Sequence, residues 1–413
     1  MNRDLFQQAV SAMRHDLRRT LLTMAGMAWG IATVVLLLSY GNGFGRAIQN
    51  IFQSFGATAV GVFPGRTSEQ AGGNKAGVLV RFTNDDVELL RNNIPLCRHV
   101  GRMLQKDSTV QNENRSFTFS VTGVDPSMQD IWNIDIDQGR FINDADNQQH
   151  GLYAVLGSEA RDKLFSGMPA LDQTIRIDGV TFQVIGIGKP RMQEADSDIN
   201  RTVYIPYNSM DVLKDNHYID GIWLDSVGLD HVKMEQTIRA TIALAHNFKP
   251  DDHRALFVFD AQKQLSQFGI ITMALKILLA FIGTITLGIG GVGLMNIMLV
   301  SVTQRTREIG VEKALGARRH DILFQFLAEA MVITALGGVL GILLSYIVSL
   351  SVGRLTLYSA LAKHAEAGDI RLIVSPMILV VATTILAVVG IVSGMVPAVR
   401  AANLDPIEAL RYE

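Results

Sequence analysis

Residues 277–304 read ILLAFIGTITLGIGGVGLMNIMLVSVTQ and contain no Asp, Glu, Lys, Arg or His. A helix of about 20 apolar residues crosses the roughly 30 Å hydrocarbon core of a bilayer, so this stretch is long enough to span a membrane. Three further stretches of sufficient length also lack charged residues and histidine. The sequence therefore predicts four transmembrane helices, which we number TM1 at 20–45, TM2 at 277–304, TM3 at 330–353 and TM4 at 372–399.

The composition agrees with a membrane protein. Of the 413 residues, 48% are hydrophobic and 18% are charged, whereas soluble domains have about 25% charged residues. The formal net charge of −2 excludes a general nucleic-acid-binding protein, which would carry a basic excess. The single cysteine, Cys97, excludes an internal disulfide framework and a thiolate-rich metal site.

Basic residues near the predicted helices indicate the orientation. The N-terminal segment 1–19 and the loop 305–329 carry more Arg and Lys than the loop 354–371, and the more basic loops stay in the cytoplasm. We therefore expect both termini and the loop 305–329 in the cytoplasm, and residues 46–276 and 354–371 outside it. Segment 1–19 also has the pattern of an amphipathic helix at the cytoplasmic interface.

The segment 46–276, between TM1 and TM2, alternates strand-like and helix-like patterns, which predicts a large mixed α/β extracytoplasmic domain. At about 46–56 and 261–276 the apolar residues keep a helical period, which predicts stalk helices that extend TM1 and TM2. Alternatively, one of these helices packs on the extracytoplasmic domain, or their apolar faces only hold one protomer's own helices together. The stalk residues that we expect at these contacts or between two protomers are Ile48, Ile51, Phe52, Phe55, Leu265 and Phe268.

Glycines recur at the small-xxx-small spacing that lets helices approach closely in lipid. The sequence leaves open whether they contact helices of the same chain or of a second chain. These glycines are Gly26, Gly30, Gly337, Gly341, Gly390 and Gly394. A match to the dinucleotide fingerprint at 288–293 is rejected, because it lies inside TM2 with no strand before it.

The loop between TM2 and TM3 begins with a short charged helix, predicted over 306–315, and Gly316 is placed for a left-handed cap. A short helix with a sharp end suits docking into a cytoplasmic partner. The simpler interpretation is that the charges of this loop only keep it on the cytoplasmic side of the membrane. The C-terminal segment 400–413 predicts another capped helix, with Asp405 as N-cap. The sequence has no G-x-x-x-x-G-K-[ST] phosphate loop and no G-x-S-x-G motif, so we expect the chain to be no enzyme.

The same loop contains RTREIGVEKALGA at 305–317, which closely resembles the signature of MacB/FtsX-type ABC transporter permeases. The ending PAVRAANLDPIEALR at 397–411 and FQVIG at 182–186 resemble the same family, so the resemblance covers nearly the whole chain. One departure is that MacB carries a fused ATPase domain, which this sequence lacks. By this resemblance, the residues that couple to an ATPase are Arg305, Arg307, Glu308, Ile309, Gly310, Lys313, Ala314, Leu315, Gly316 and Ala317.

The resemblance implies a stand-alone permease of the bacterial inner membrane with a two-lobed, MacB-like periplasmic core domain. Such a permease acts as a dimer, more readily a homodimer than a heterodimer, with a dimer of separate ATPase subunits that bind ATP and Mg²⁺. This chain itself would then hold no cofactor and no metal. It would pass ATP-driven motion outward, by mechanotransmission, for efflux or extraction of a substrate from the outer face.

The resemblance also implies a periplasmic membrane fusion protein and an outer-membrane channel as further partners, and no nucleic acid. An alternative within the same family is an FtsX-like regulator that transports nothing and acts on a periplasmic partner such as a cell-wall hydrolase.

Overall fold

The computed structural model describes residues 17–54, 56, 58–71, 75–94, 97–113, 115–191, 199–226, 231–352 and 369–410. The chain divides into two compact units. The helical unit consists of Met1–Arg46, Gly269–Leu357 and Ile370–Glu413, and the inserted domain consists of Ala47–Phe268 and Tyr358–Asp369. Phe55, residues 1–16 of the predicted amphipathic helix and most of the loop 354–371 lie outside the described residues.

The elements alternate in type within the inserted domain and are helical in the helical unit. In chain order they are α1 (Leu17–Ser54), β1 (Ala59–Pro64), α2 (Asn84–Asn93), β2 (Cys97–Asn112), β3 (Arg115–Val124), α3 (Met128–Ile131), β4 (Ile136–Gly139), α4 (Asp144–Gln148), β5 (Tyr153–Leu156), α5 (Ser158–Phe165), β6 (Thr174–Ile177), β7 (Val180–Gly188), β8 (Val203–Pro206), β9 (Gly221–Ser226), α6 (His231–His246), β10 (Leu256–Asp260), α7 (Ala261–Gln304), α8 (Thr306–Ala314), α9 (Arg319–Val352), α10 (Pro376–Ala402) and α11 (Pro406–Leu410).

Among the described residues, four helices are long and apolar enough to cross a membrane, and they confirm the four predicted transmembrane helices. They are α1, α7, α9 and α10. The helices α1 and α7 are continuous over 38 and 44 residues, so both extend beyond their uncharged stretches. The helix α10 begins with an N-cap in which the Ser375 hydroxyl accepts a hydrogen bond from the N–H of Ile378, and Pro376 occupies the first helical position.

Glycines mark the places where these helices approach each other most closely. A Cβ atom at Gly30 of α1 would lie 2.8 Å from the side chain of Leu287 on α7, and one at Gly394 of α10 would lie 2.7 Å from Ala330 on α9. A Cβ at Gly341 of α9 would overlap α1. Five of the six predicted packing glycines therefore contact a helix of the same chain: Gly30, Gly337, Gly341, Gly390 and Gly394.

The sixth predicted glycine, Gly26, differs. A Cβ placed on Gly26 would meet nothing within 4 Å, but its carbonyl oxygen lies 3.1 Å from the position of a Cβ on Gly290 of α7. The close approach at this crossing therefore depends on Gly290, which belongs to the rejected dinucleotide match.

The described strands of the inserted domain form one ten-stranded mixed sheet in the order β10-β1-β9-β2-β3-β8-β5-β7-β4, with β6 paired to β2 and β7. Successive residues of a strand point to opposite faces of the sheet, and in β1 Val60 and Val62 are buried in the main hydrophobic cluster while Ala59 is buried in a second one. The large mixed α/β fold predicted between TM1 and TM2 is therefore confirmed.

Helices α2 and α6 pack against each other on the inserted domain. The helix α2 begins with a capping box, in which the carboxylate of Asp86 accepts a hydrogen bond from the N–H of Thr83 at 2.8 Å. The apolar stripe of α6, which includes Ile238 and Ile242, is fully buried in the main hydrophobic cluster. Ile238 and Ile242 are four residues apart and therefore lie on the same face of the helix.

Candidate coupling site

The helix α8 follows α7 after the single residue Arg305 and has two different faces. Ile309 and Gly310 are buried, whereas Arg307, Glu308 and Leu315 are exposed. The alternation follows the 3.6-residue period of a helix. The run that was predicted as one set of coupling residues is therefore divided between an inward face and an outward face.

The inward face packs on the ends of three long helices. Ile309 is 2% exposed and belongs to a hydrophobic cluster with Val302 of α7, Phe326 of α9 and Ala398 of α10. Ala317, which follows the helix, packs partly buried on the same cluster. Since buried side chains are closely packed, a displacement of α8 has to displace the ends of these helices as well.

Lys313 joins α8 to the end of α10. Its Nζ atom donates hydrogen bonds to the carbonyl oxygens of Ala402 and Leu404, at 2.6 Å each. The last carbonyls of a helix lack intrahelical partners, and a basic side chain satisfies them well. Burial and the positive charge of Arg319 lower the pKa of Lys313, while Asp405 opposes this shift.

Arg305 makes a second connection, to α9. Its Nη1 atom lies 3.5 Å from Oε2 of Glu329, and both side chains are largely buried. Charges that are partly removed from water interact more strongly than exposed pairs. Together with Lys313, this pair fastens the two ends of α8 to α9 and α10.

The C-terminal end of α8 has the predicted left-handed cap. Gly316 has φ +105°, a conformation that glycine adopts without steric cost. The N–H of Gly316 donates to the carbonyl of Lys313, and the N–H of Ala317 donates to the carbonyl of Glu312. These two bonds form a Schellman motif, which ends the helix sharply.

The outward face presents apolar side chains between charges. Leu315 is 84% exposed and Val311 is 43% exposed, and Arg307, Glu308 and Ala314 are exposed beside them. One exposed leucine is ordinary on a protein surface, but a group of apolar side chains with a polar rim is typical of an interaction surface.

The helix α11 packs on α8 and adds to this surface. The Asp405 carboxylate accepts a hydrogen bond from the N–H of Ile407 at 2.8 Å, with Pro406 at the first helical position, so the predicted N-cap is confirmed. Ile407 is 78% exposed. We call the exposed residues Arg307, Glu308, Val311, Leu315 and Ile407 the coupling surface.

The predicted stalk residues lie near the ends of α1 and α7. The rings of Phe52 and Phe268 contact each other, with centroids 5.4 Å apart and an interplanar angle of 47°. Ile48, Ile51 and Leu265 are half-buried. The Phe52–Phe268 contact joins helices of one chain, as the alternative interpretation of the stalk expects for this pair.

Sequence reasoning missed Glu329 and Ile407. Glu329 is the charged residue directly before the uncharged stretch 330–353, and such a position is a signal for an ion pair at a helix end. Ile407 is an apolar residue directly after the cap and Pro406, where a solvated tail would carry a polar one. Both signals were present in the sequence, but the partners depend on tertiary packing.

Comparisons with known proteins indicate the family of the chain. Residues 20–241 match the family model of the MacB-like periplasmic core domain, and residues 280–406 match that of the FtsX-like permease C-terminal region. The macrolide export ATP-binding/permease protein MacB of Bdellovibrio bacteriovorus is 31% identical over 398 residues, which are 96% of this chain and 59% of that protein.

The probable syringafactin export ATP-binding/permease protein SyfD of Pseudomonas syringae pv. syringae is 32% identical over 420 residues, which are 99% of this chain and 61% of that protein. The chain thus spans 59% and 61% of the lengths of these two relatives. Among solved structures, the periplasmic region of MacB from Actinobacillus actinomycetemcomitans matches 54% of this chain and 97% of that chain, with 18% identity and a TM-score of 0.43.

Proposed function

Because this chain belongs to the family of ABC transporter permeases with a MacB-like periplasmic core domain, we propose that it is the permease subunit of an export system. A separate ATPase dimer supplies the energy and binds ATP and Mg²⁺. The relatives named above are export proteins that contain an ATP-binding part, which supports both export and an ATPase as partner.

The observation that carries the proposal is the two-faced helix α8. Its inward face is fixed to α7, α9 and α10 by Ile309, Arg305 and Lys313. Its outward face leaves Leu315 84% exposed. Burial of such a side chain in a groove of the ATPase would contribute about 1.5–3 kcal/mol. A movement of the ATPase would therefore reach the long helices through α8.

The long helices carry the movement to the other side of the membrane. The helix α1 continues without interruption from its uncharged stretch to Ser54. The helix α7 begins at Ala261 and continues without interruption into its own uncharged stretch. Intramembrane ionisable residues usually mark a substrate path, and the four uncharged stretches contain none. This favours mechanotransmission to the inserted domain over passage of a polar substrate between the helices.

The cellular arrangement follows from the same proposal. In this arrangement α8 and both termini lie in the cytoplasm and the inserted domain lies outside the inner membrane, which the basic segments support. Two copies of the chain form the permease. A periplasmic membrane fusion protein and an outer-membrane channel continue the export path.

A substitution on the coupling surface tests the proposal. We expect Leu315→Asp to reduce ATPase copurification at least tenfold, because a carboxylate would be buried in the apolar groove. The matched control is Leu244→Asp on α6, since Leu244 is also 84% exposed but lies in the inserted domain. Equal copurification by both variants and the parent chain would contradict docking through α8.

A further inference from the structure

A polar stripe on α6 contacts the start of α7. His231, Glu235 and Arg239 are spaced at i, i+4 and i+8, so they lie on one face of the helix. The apolar face of the same helix is buried in the domain core. Packing on the core therefore does not explain why these three polar residues lie on one face of α6.

Each residue of the stripe has a partner at the junction of β10 and α7. Nδ1 of His231 lies 2.9 Å from Oδ2 of Asp260, and the other oxygen of Asp260 accepts hydrogen bonds from the N–H groups of Gln262 and Lys263. Asp260 is only 5% exposed. The same carboxylate thus caps α7 and holds the first residue of α6.

Glu235 and Arg239 extend this connection. Nζ of Lys263 lies 2.8 Å from Oε2 of Glu235, whose Oε1 accepts two hydrogen bonds from Arg239. Arg239 also donates to the carbonyl of Leu256 on β10 at 2.9 Å. Burial alone would raise the pKa of Glu235, but hydrogen bonds and positive charge from Lys263 and Arg239 hold it below its ordinary value.

The far end of α6 is fastened to α2. Nε2 of His246, the last residue of α6, lies 2.8 Å from Oδ1 of Asp86, the residue that completes the capping box of α2. Between its two ends α6 is a regular helix of 16 residues, which is about 24 Å long. It therefore connects the first turn of α7 to the first turn of α2.

The helix α2 forms one wall of a polar cleft of about 470 Å³. Asn84, Asp85 and Glu88 line this wall, and Asp144 and Gln148 of α4 line another. Arg102 and Asp125 lie at the cleft with two parallel hydrogen bonds, at 2.8 Å and 2.7 Å, and join β2 to the end of β3. Arg102 also donates a hydrogen bond to Oδ1 of Asn84 on α2 at 3.0 Å, so the α2 wall is contacted by β2 as well as by α6.

We propose that α6 is a strut that transfers movement of the α7 stalk to α2 and so changes the width of this cleft. His231, Glu235 and Arg239, with Lys263 of α7, are positioning residues in this transfer. The inference rests on the proposed function, in which ATP hydrolysis moves the stalk. Contiguous polar contacts between rigid helices are the physical means by which such coupling travels.

The experiment measures both ends of the strut in the full complex with its copurified ATPase, by spin-label distances in a Cys97→Ser background. Labels at Leu89→Cys and Gln148→Cys report the cleft, and a label at Gln267→Cys reports the stalk between two protomers. The double variant Glu235→Gln/Lys263→Met removes the ion pair between α6 and the start of α7. Lys263→Arg keeps a positive charge that can pair with Glu235. The matched control is Lys249→Met, which removes an exposed 2.7 Å ion pair with Glu69 in the same domain.

We expect vanadate trapping with ATP to shift both distances in the background chain, in Lys263→Arg and in Lys249→Met. In the double variant the cleft shift should be lost while the stalk shift remains, and the nucleotide-free cleft distance should match the background, which shows that the domain is folded. A cleft shift that survives in the double variant, or a stalk shift without any cleft shift in the background, would overturn the strut. No stalk shift in the background would overturn the proposed function instead.

Discussion

Lys313 shows that a family signature does not assign roles residue by residue. The motif places Lys313 among the coupling residues, yet its ammonium group donates to the carbonyl oxygens of Ala402 and Leu404 at the end of α10. Hydrogen bonds from a charged group are each worth about 1.5–3 kcal/mol. Lys313 therefore holds the end of α10 and the start of α11 against α8, while other residues of the motif face solvent.

We predict that Lys313→Met loosens the C-terminal helix without unfolding the membrane helices. Amide exchange of residues 403–410 should increase at least tenfold, and ATP turnover should lose its coupling to transport. Lys313→Arg keeps a charged hydrogen-bond donor at this position and should retain most of the protection of these amides against exchange. Unchanged amide exchange in Lys313→Met would show that packing of α11 alone holds the segment.

Asp252 provides a pH-dependent contact in the inserted domain. Burial alone would raise the pKa of its carboxyl, but hydrogen bonds from the hydroxyl and N–H of Ser68 and from the N–H groups of Glu69 and Arg254 lower it to about 2. A group whose pKa is lowered by folding stabilises the folded state above its unfolded pKa of about 3.9. That stability is lost as the pH falls through about 2.

We predict that Asp252→Asn lowers the free energy of unfolding by about 1–3 kcal/mol at pH 7, because the amide replaces an ionised acceptor. The difference from the parent chain should shrink between pH 4 and pH 2, where the parent carboxylate becomes protonated. Urea titration followed by tryptophan fluorescence measures this. Asp251→Asn, at an exposed neighbour, is the control, and a difference that stays constant with pH would contradict the assignment.

At the scale of elements, the glycines of the long helices differ in what surrounds them. A Cβ at Gly341 would overlap Ile31 and the carbonyl oxygen of Ala28 on α1, whereas a Cβ at Gly288 of α7 would meet nothing within 4 Å. Overpacking that forces backbone shifts costs about 1–3 kcal/mol. The two positions therefore form a matched pair within one apolar bundle.

We predict that Gly341→Val lowers the thermal stability of the purified protein and reduces its folded yield, because α9 has to move away from α1. Gly288→Val should change neither by much. Thermal unfolding in detergent and size-exclusion chromatography measure both effects. An equal loss in the two variants would show that Gly288 contacts a second protomer.

The sequence predicted the types of elements better than their partners. Charge-free stretches predict α7 and α10 because a helix needs about 20 apolar residues to cross a bilayer, and the caps at Gly316 and Asp405 were predicted because capping depends on a few adjacent residues. The ion pair between Arg305 and Glu329 and the bonds of Lys313 were not predicted, since they join residues far apart in the chain. The partners of the polar stripe on α6 likewise could not be predicted, because they lie on β10 and α7, which are distant in the sequence.

At the scale of the whole molecule, α7 has an exposed apolar stripe just beyond its contact with α1. Phe52 and Phe268 contact each other within one chain. Further along α7, Ile270, Met273 and Ile277 are 72%, 65% and 61% exposed and lie at i, i+3 and i+7. Such a stripe, on one face of the helix, is suited to contact a second copy of the chain in the proposed dimer.

We predict that two copies of the chain work together through contact between their stalks. In a Cys97→Ser background, a cysteine at Ile270 or at Ile48 should form a disulfide between protomers at a rate that depends on the nucleotide state. A Phe52→Cys/Phe268→Cys pair should instead be joined within one protomer by a short bismaleimide, because these rings already contact each other. Trapping between protomers should arrest ATP turnover of the reconstituted complex, and reductant should restore it, since a locked stalk blocks the motion that hydrolysis drives. Complete trapping with normal turnover and transport would mean that stalk motion is not required, and it would favour a substrate path through the bilayer interior in spite of its lack of ionisable groups.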